Sequence, residues 1–260
     1  MKVVILCGGK GTRLREETEY RPKPMIPIGN RPILWHIMKT YASHGYKEFV
    51  LCLGYKGEMI KDYFRNYMWM TSDVTLKLGR TPSNKFHTSH EEEDWSVTLA
   101  DTGQETGTGG RIKKIESYLG TDENFFITYG DGVGNIDIKA SLAYHIKHKK
   151  LLTLTSVRLP GRFGELAIST DGQIERFAEK PPVSEGRING GYFIASKEIF
   201  KYLDPDPKHM FEKEPILKLI QDKQLMAYNH DGFWQPMDNY FEYTLLNQLW
   251  ADEKAPWKIW

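Results

Sequence analysis

The chain has 260 residues, with 35 Lys and Arg against 34 Asp and Glu and a formal net charge of +1. That balance excludes the global basic field needed for non-specific nucleic-acid binding, so any anion site must be local. The length is large for one domain and short for two, which favours a single compact unit with a sizeable core. No apolar stretch approaches the ~18 residues that span a bilayer, and no N-terminal apolar segment with a cleavage site stands out. A cytoplasmic protein without a membrane partner is therefore expected. The two cysteines, Cys7 and Cys52, sit in apolar runs without metal-ligand spacing and read as buried, reduced thiols.

In chain order, the apolar run Val3 to Cys7 reads as a strand that breaks into Gly8-Gly9-Lys10-Gly11-Thr12-Arg13. Glycines let successive backbone N–H groups face one anion, and Lys10, Arg13 and Lys23 of Arg21-Pro22-Lys23-Pro24-Met25 supply positive charge. A nucleoside triphosphate suits such a cradle; plain chain reversal is the competing reading. The dinucleotide pattern lacks its third glycine, and the Walker pattern fails because Lys10 precedes the last glycine.

A helix is expected over Pro32 to Ser43 with Gly45 as its stop, then a strand over Phe49 to Leu53 and a helix over Gly57 to Tyr67. The apolar run Val97 to Ala100 leads into a second glycine-rich turn, Asp101 to Arg111, followed by a helix over Ile112 to Tyr118 and a strand over Phe125 to Tyr129. This alternation predicts βαβ units and a mainly parallel sheet. Beyond Lys150 the texture turns β-rich: Leu151 to Arg158, Leu166 to Ser169, Gln173 to Ala178 and Ile188 to Ala195, with Asp171-Gly172 as a hairpin turn. Helices near Lys197 to Leu203 and Phe211 to Gln221, a strand over Leu225 to Asn229 and a helix over Tyr240 to Trp250 complete the pattern.

Four segments beyond the first loop carry chemistry. Asp131 in Tyr129-Gly130-Asp131-Gly132 ends a strand, where a carboxylate facing phosphates makes a plausible Mg2+ ligand; a turn aspartate is the bland reading. Asp238 closes Gly232-Phe233-Trp234-Gln235-Pro236-Met237-Asp238, and either binds the same metal or caps the last helix. Glu179-Lys180-Pro181 and Asn189-Gly190-Gly191 offer a phosphate contact, sugar hydroxyl partners and room for a sugar ring, although an acid and a base in a hairpin also make an ordinary surface pair.

Taken in order, these segments resemble the sugar-1-phosphate nucleotidylyltransferases over nearly the whole chain. Arg21 to Met25, Pro32 to Met38, Pro160-Gly161-Arg162-Phe163-Gly164, Gly232 to Asp238 and Ala255-Pro256-Trp257-Lys258 are similar to the branch of that family using CTP and glucose 1-phosphate. The resemblance implies one α/β, Rossmann-like nucleotidyltransferase domain over residues 1–260, with a mixed, mainly parallel sheet and a β-rich sugar-binding insertion. Residues 1–150 form its nucleotide half and 151–260 its sugar-phosphate half with the C-terminal helices. It further implies nucleotide contacts at Leu6, Gly8, Gly9, Gly11, Thr12, Arg13, Lys23, Thr108, Gly109, Arg111 and Asp131, with Arg13 and Lys23 catalytic and Mg2+ at Asp131 and Asp238. Sugar-phosphate contacts are implied at Gly164, Glu179, Lys180, Asn189, Gly190, Gly191 and Trp234.

The implied product is CDP-glucose, for deoxysugars of bacterial surface polysaccharide, and a homo-oligomer, a hexamer, is the implied assembly. Arg111 is expected to address cytosine O2 and N3, or else to sit as a solvated residue in the first turn of a helix. The rivals are the same chemistry with UTP or dTTP, and an inactive sugar-nucleotide sensor, against which the intact set of Arg13, Lys23, Asp131, Lys180 and Asp238 argues.

Other clusters receive plainer readings. His87 and His90, before Glu91-Glu92-Glu93-Asp94, lack zincin spacing and are expected in a solvated loop; the acidic stretch has no assigned role. His145 and His148, among Lys147, Lys149 and Lys150, are expected on a solvent face. The aromatics of Tyr63 to Met70 and of Trp257 to Trp260 are expected to pack either between subunits or in the core.

Overall fold

The computed structural model describes residues 1–80, 82–87, 92, 94–159, 165–178 and 186–260, without the side chains of 15, 16, 165–168 and 176–178. Gly164, Glu179, Lys180 and His90 lie outside the described residues.

Consecutive β-branched and aliphatic residues make the first strand, β1 (Val3–Cys7), in which every residue is buried. Val3, Ile5 and Cys7 pack on one face and Val4 and Leu6 on the other. Burial on both faces is the environment of a sheet covered by helices on each side. The remaining strands of the sheet are β2 (Glu48–Leu53), β3 (Ser96–Asp101), β4 (Asn124–Tyr129), β5 (Leu152–Val157), β6 (Ile188–Ser196) and β7 (Leu225–Asn229). Their order is β7-β5-β6-β4-β1-β2-β3. β1 runs parallel to β2 and β4, β2 to β3 and β5 to β7, while β6 is antiparallel to β4 and β5. The sheet is thus mixed and mainly parallel, as expected.

The chain steps outward from β1 through α1 (Ile33–Ser43) to β2 and through α2 (Gly57–Arg65) to β3. It then returns through α3 (Thr108–Lys114) to β4 on the other side of β1. Leu6 is paired with both Cys52 and Tyr129, so the three central strands end at one level. A crevice opens there, at the carboxyl ends of strands where the winding reverses.

Two helices begin where the neighbouring backbone dictates rather than where hydrophobic spacing does. α3 starts at Thr108, inside the glycine-rich turn, because Gly107 N–H donates to Pro207 O at 2.6 Å and Gly110 N–H to His209 O at 3.2 Å. Such close approach leaves no room for Cβ atoms. α5 (Glu214–Gln221) starts later than Phe211, with Pro215 in its first turn. The helix expected up to Tyr67 breaks at Asn66 into α2 and a short helix Tyr67–Thr71, and an unforeseen hairpin pairs Val74–Lys77 with Ser83–Phe86. α4 (Ile138–His148) and α6 (Tyr240–Ala251) complete the longer helices. The Asp171-Gly172 turn joins the antiparallel strands Glu165–Ile168 and Ile174–Ala178 as expected.

His145 corrects its sequence reading, since it is only 3% exposed. Lys150 N–H donates to His148 Nδ1 at 2.9 Å, which puts the proton of His148 on Nε2, 2.7 Å from Thr153 Oγ1. The Thr153 hydroxyl then donates to His145 Nδ1 at 2.7 Å, and His145 Nε2 donates to Asn124 Oδ1 at 3.2 Å. Every donor meets one acceptor along this chain, which binds α4 to β4 and β5.

Trp257 packs inside its own chain: it is fully buried, stacked on Phe233 at 5.6 Å, and its indole N–H donates to His36 Nδ1 at 3.4 Å. Trp69 and Met70, by contrast, are exposed. Within the acidic stretch, Glu92 is buried 3.3 Å from Lys39 Nζ, a structural ion pair. Cys7 and Cys52 are free and buried, and burial pushes the Cys52 thiol up to about 12. Among the described residues, no helix is long and apolar enough to cross a membrane, and no three His, Cys, Asp or Glu gather as a metal cluster.

Candidate functional site

A cleft of about 590 Å3 opens at the carboxyl ends of β1 and β4. Its lining brings together Leu6, Gly8, Gly9, Gly11, Arg13, Lys23, Thr108, Arg111 and Asp131 from the expected nucleotide set. Lys10, also on the wall, pairs with Glu105 of the second glycine-rich turn at 2.8 Å, so the two loops meet across the mouth. Thr12 opens the helical turn Thr12–Leu14 behind the first loop. Gly109 packs against His209, where a Cβ would lie 2.4 Å from the ring, and is not among the lining residues.

Backbone pairing explains how Asp131 and Asp238 converge. Gly132–Gly134 forms an antiparallel pair with Trp234–Pro236, and Met237 N–H donates to Asp131 O at 2.8 Å. The two aspartates therefore flank the same end of one strand pair. Lys23 Nζ lies 2.7 Å from Asp131 Oδ2 and also bonds Asp238 Oδ1, while Arg13 Nη1 reaches Asp238 Oδ2 at 2.5 Å. Burial opposes the charge on Lys23, but Asp131 and then Asp238 outweigh it and hold its pKa above the usual lysine value.

The bland reading of Asp238 as a helix cap is also resolved. Asn239 caps α6, accepting from Glu242 N–H at 3.0 Å, and Glu242 reaches back to Asp238 N–H at 2.6 Å. This reciprocal arrangement leaves the Asp238 carboxylate for Lys23 and Arg13.

Arg111 departs from both of its sequence readings. It is 4% exposed, so it is no solvated helix residue. Nη1 donates to Leu53 O at 2.9 Å, Thr102 Oγ1 at 2.7 Å and Gly103 O at 2.8 Å, and Nη2 donates to Gly8 O at 3.0 Å and Gln104 O at 3.2 Å. With both terminal nitrogens committed to protein oxygens, its guanidinium ties strand ends together rather than addressing a base edge. A Cβ on Gly8 would lie 2.2 Å from the guanidinium carbon, and one on Gly54 2.5 Å from Nη1. A side chain at either position would displace this guanidinium from the carbonyls it holds.

In the segment expected to meet the sugar phosphate, Asn189 Nδ2 lies 3.3 Å from Tyr129 Oη, and Gly190 and Gly191 continue β6 beside it. Trp234 stands next to Gly132, with its indole nitrogen buried. Sequence reasoning missed Glu105, in an irregular turn, and Glu212, which it placed in a helix that begins only at Glu214. It also missed the strand pair that aligns the two aspartates, whose glycines hid it.

Residues 2–252 match the family model described as nucleotidyl transferase. The chain is 49% identical to the glucose-1-phosphate cytidylyltransferase of Salmonella typhi, with all of both chains covered. It is 43% identical to a probable glucose-1-phosphate cytidylyltransferase of Bacillus subtilis, again with all of both chains covered. The fold is similar to HddC from Yersinia pseudotuberculosis, with a TM-score of 0.68 and 24% identity, covering 96% of this chain and 99% of that one.

Proposed function

The chain belongs to the nucleotidyl transferase family, and we propose that it transfers the cytidylyl group of CTP to α-D-glucose 1-phosphate, giving CDP-glucose and pyrophosphate. The observation that carries this reading is one cleft holding both a glycine loop and a lysine that spans two converging carboxylates. The choice of CTP and glucose rests on the two relatives that match over their full length.

An oxygen of the sugar phosphate forms a bond to the α-phosphorus, and the bond from that phosphorus to the bridging oxygen breaks, releasing pyrophosphate. The nucleophile is already an anion and needs no general base. The protein's task is alignment and charge stabilisation. Backbone N–H groups from Gly8 to Thr12 cradle the phosphates, and Arg13 and Lys23 draw charge from them, in exchange for the carboxylates they also hold. Asp131 and Asp238 fit Mg2+, a hard cation that takes one or two carboxylates and completes its shell with phosphate and water. When bound, the ion neutralises charge on the triphosphate.

Residues 1–150 serve the nucleotide and residues 151–260 the sugar phosphate, through Gly164, Glu179, Lys180, Asn189, Gly190, Gly191 and Trp234. Base discrimination falls to the turn from Gln104 to Thr108, which lines the cleft. A cytoplasmic setting is supported by the nucleotide substrate proposed and by the free buried thiols. A homo-oligomer, the hexamer of the resemblance, is supported by Trp69, Met70, Leu76 and Leu78, which expose apolar surface around the Val74–Lys77 hairpin. Light scattering on the intact protein tests it. The function is tested by pyrophosphate release across four nucleoside triphosphates and several sugar 1-phosphates with Mg2+. Preference for UTP or dTTP, or no turnover at all, overturns the reading.

A further inference from the structure

We infer that Glu212 is a positioning residue for the sugar phosphate, acting through Tyr129 and Asn189 and tying them to the amino end of α3 at Thr108; the inference rests on the reaction proposed above. The Glu212 carboxylate accepts from Tyr129 Oη at 2.7 Å and from Thr108 Oγ1 at 2.6 Å. Asn189 Nδ2 donates to Tyr129 Oη at 3.3 Å, and Gly191 N–H donates to Asn189 Oδ1 at 2.8 Å. The directions are mutually consistent. Tyr129 gives its one hydrogen to Glu212 and so presents only lone pairs to Asn189, and the Gly191 N–H decides which way the Asn189 amide points. Thr108 is equally committed, because its hydroxyl oxygen accepts from Phe211 N–H at 2.9 Å while its hydrogen goes to Glu212.

The carboxylate is held in place from beneath. Phe211, next to Glu212 in the chain, is fully buried and meets Phe193 edge-on at 5.4 Å, and Phe193 meets Tyr129 edge-on at 5.7 Å. Glu212 and the hydroxyl it holds therefore stand on one core residue. The Tyr129 ring is confined on the other side by Gly191, where φ is +74° and a Cβ would lie 2.5 Å from the ring. Tyr129 ends β4, lines the cleft and precedes Asp131 by one glycine. A displacement at Glu212 is thus passed to the segment bearing Asn189 and to the strand end bearing Asp131. Two hydroxyls donating to separate oxygens require a carboxylate, since an amide offers one acceptor and turns a donor toward the other.

The test is steady-state kinetics with CTP and glucose 1-phosphate varied separately for wild type, Glu212→Gln, Tyr129→Phe and the double variant. Tyr129→Phe is expected to raise KM for glucose 1-phosphate on the order of 10-fold and to change KM for CTP less than about 3-fold, and Glu212→Gln, which also frees Thr108, to raise KM for glucose 1-phosphate at least as much. On KM for glucose 1-phosphate the double variant should lose no more than Glu212→Gln alone, because the Tyr129 to Glu212 connection is already broken there. Glu212→Asp, which keeps the charge but shortens the reach, should fall between wild type and Glu212→Gln. Equal losses toward both substrates in Tyr129→Phe, additive losses in the double variant, or a lowered Tm with unchanged KM overturn the proposal. Wild-type formation of CDP-glucose in the same assay is the reference, so its failure counts against the reaction and not against Glu212.

Discussion

Replacing Arg111 with alanine separates a strut from a base reader. The guanidinium joins Gly8 at the end of β1, Leu53 at the end of β2, and Thr102, Gly103 and Gln104 beyond β3. Not all of these acceptors suffer equally from its loss. Leu53 O keeps the Thr102 N–H at 3.0 Å and the Thr102 hydroxyl at 2.6 Å, and Gly8 O keeps the Tyr55 N–H at 3.2 Å. The bonds to Gly103 O and Gln104 O, in a turn outside the strand ladder, are lost outright. At about 1 kcal/mol for each lost bond, plus the space vacated against Gly8 and Gly54, the variant should be about 2–4 kcal/mol less stable. For a chain of this size that corresponds to a fall in Tm of roughly 5–10 °C. Because the two glycine turns loosen together, activity with CTP and with UTP should fall in parallel. Thermal melts and kcat/KM with both nucleotides check this. A CTP to UTP ratio that collapses while Tm is unchanged would show that Arg111 reads the base and refute the strut.

Asp131→Asn and Asp238→Asn should each lower turnover on the order of 10²-fold or more while leaving the fold intact, since each removes a carboxylate bonded to Lys23 and assigned to Mg2+. Near-normal rates at saturating Mg2+ would remove that residue from the metal site. Lys180→Ala should weaken glucose 1-phosphate far more than CTP, and a loss confined to CTP would move Lys180 out of the sugar-phosphate site. His36 and His145 are each lowered to about 4 from 6.5, chiefly by burial. Unfolding lets them take protons, so their contribution to stability is complete above pH 6.5 and is lost as pH falls toward 4. Melts between pH 7.5 and 5, where most carboxylates remain ionised, should show Tm falling with pH, and a flat profile contradicts the assignment.

What local sequence determined was the strands of the main sheet, most of the helices between them, and the chemistry at their ends. The apolar run Val3 to Cys7 read as a strand and its break into glycines as a tight loop, and Asp131 was placed at the end of another such run. Those signals lie within a few residues because strand period and turn conformation are themselves local. Tertiary structure alone decided which distant groups became neighbours. Asp131 and Asp238 meet because Gly132–Gly134 pairs with Trp234–Pro236, a three-residue match without periodic signature. Arg111 and His145 look like surface residues in a basic stretch, yet the packing of β1, β2 and β3 surrounds the first with carbonyls and the contact of α4 with β5 buries the second. A charged side chain carries no mark of its partners. Whether it faces water, a phosphate or a ring of backbone oxygens depends on strand order and register, and those emerge only once the whole sheet is assembled.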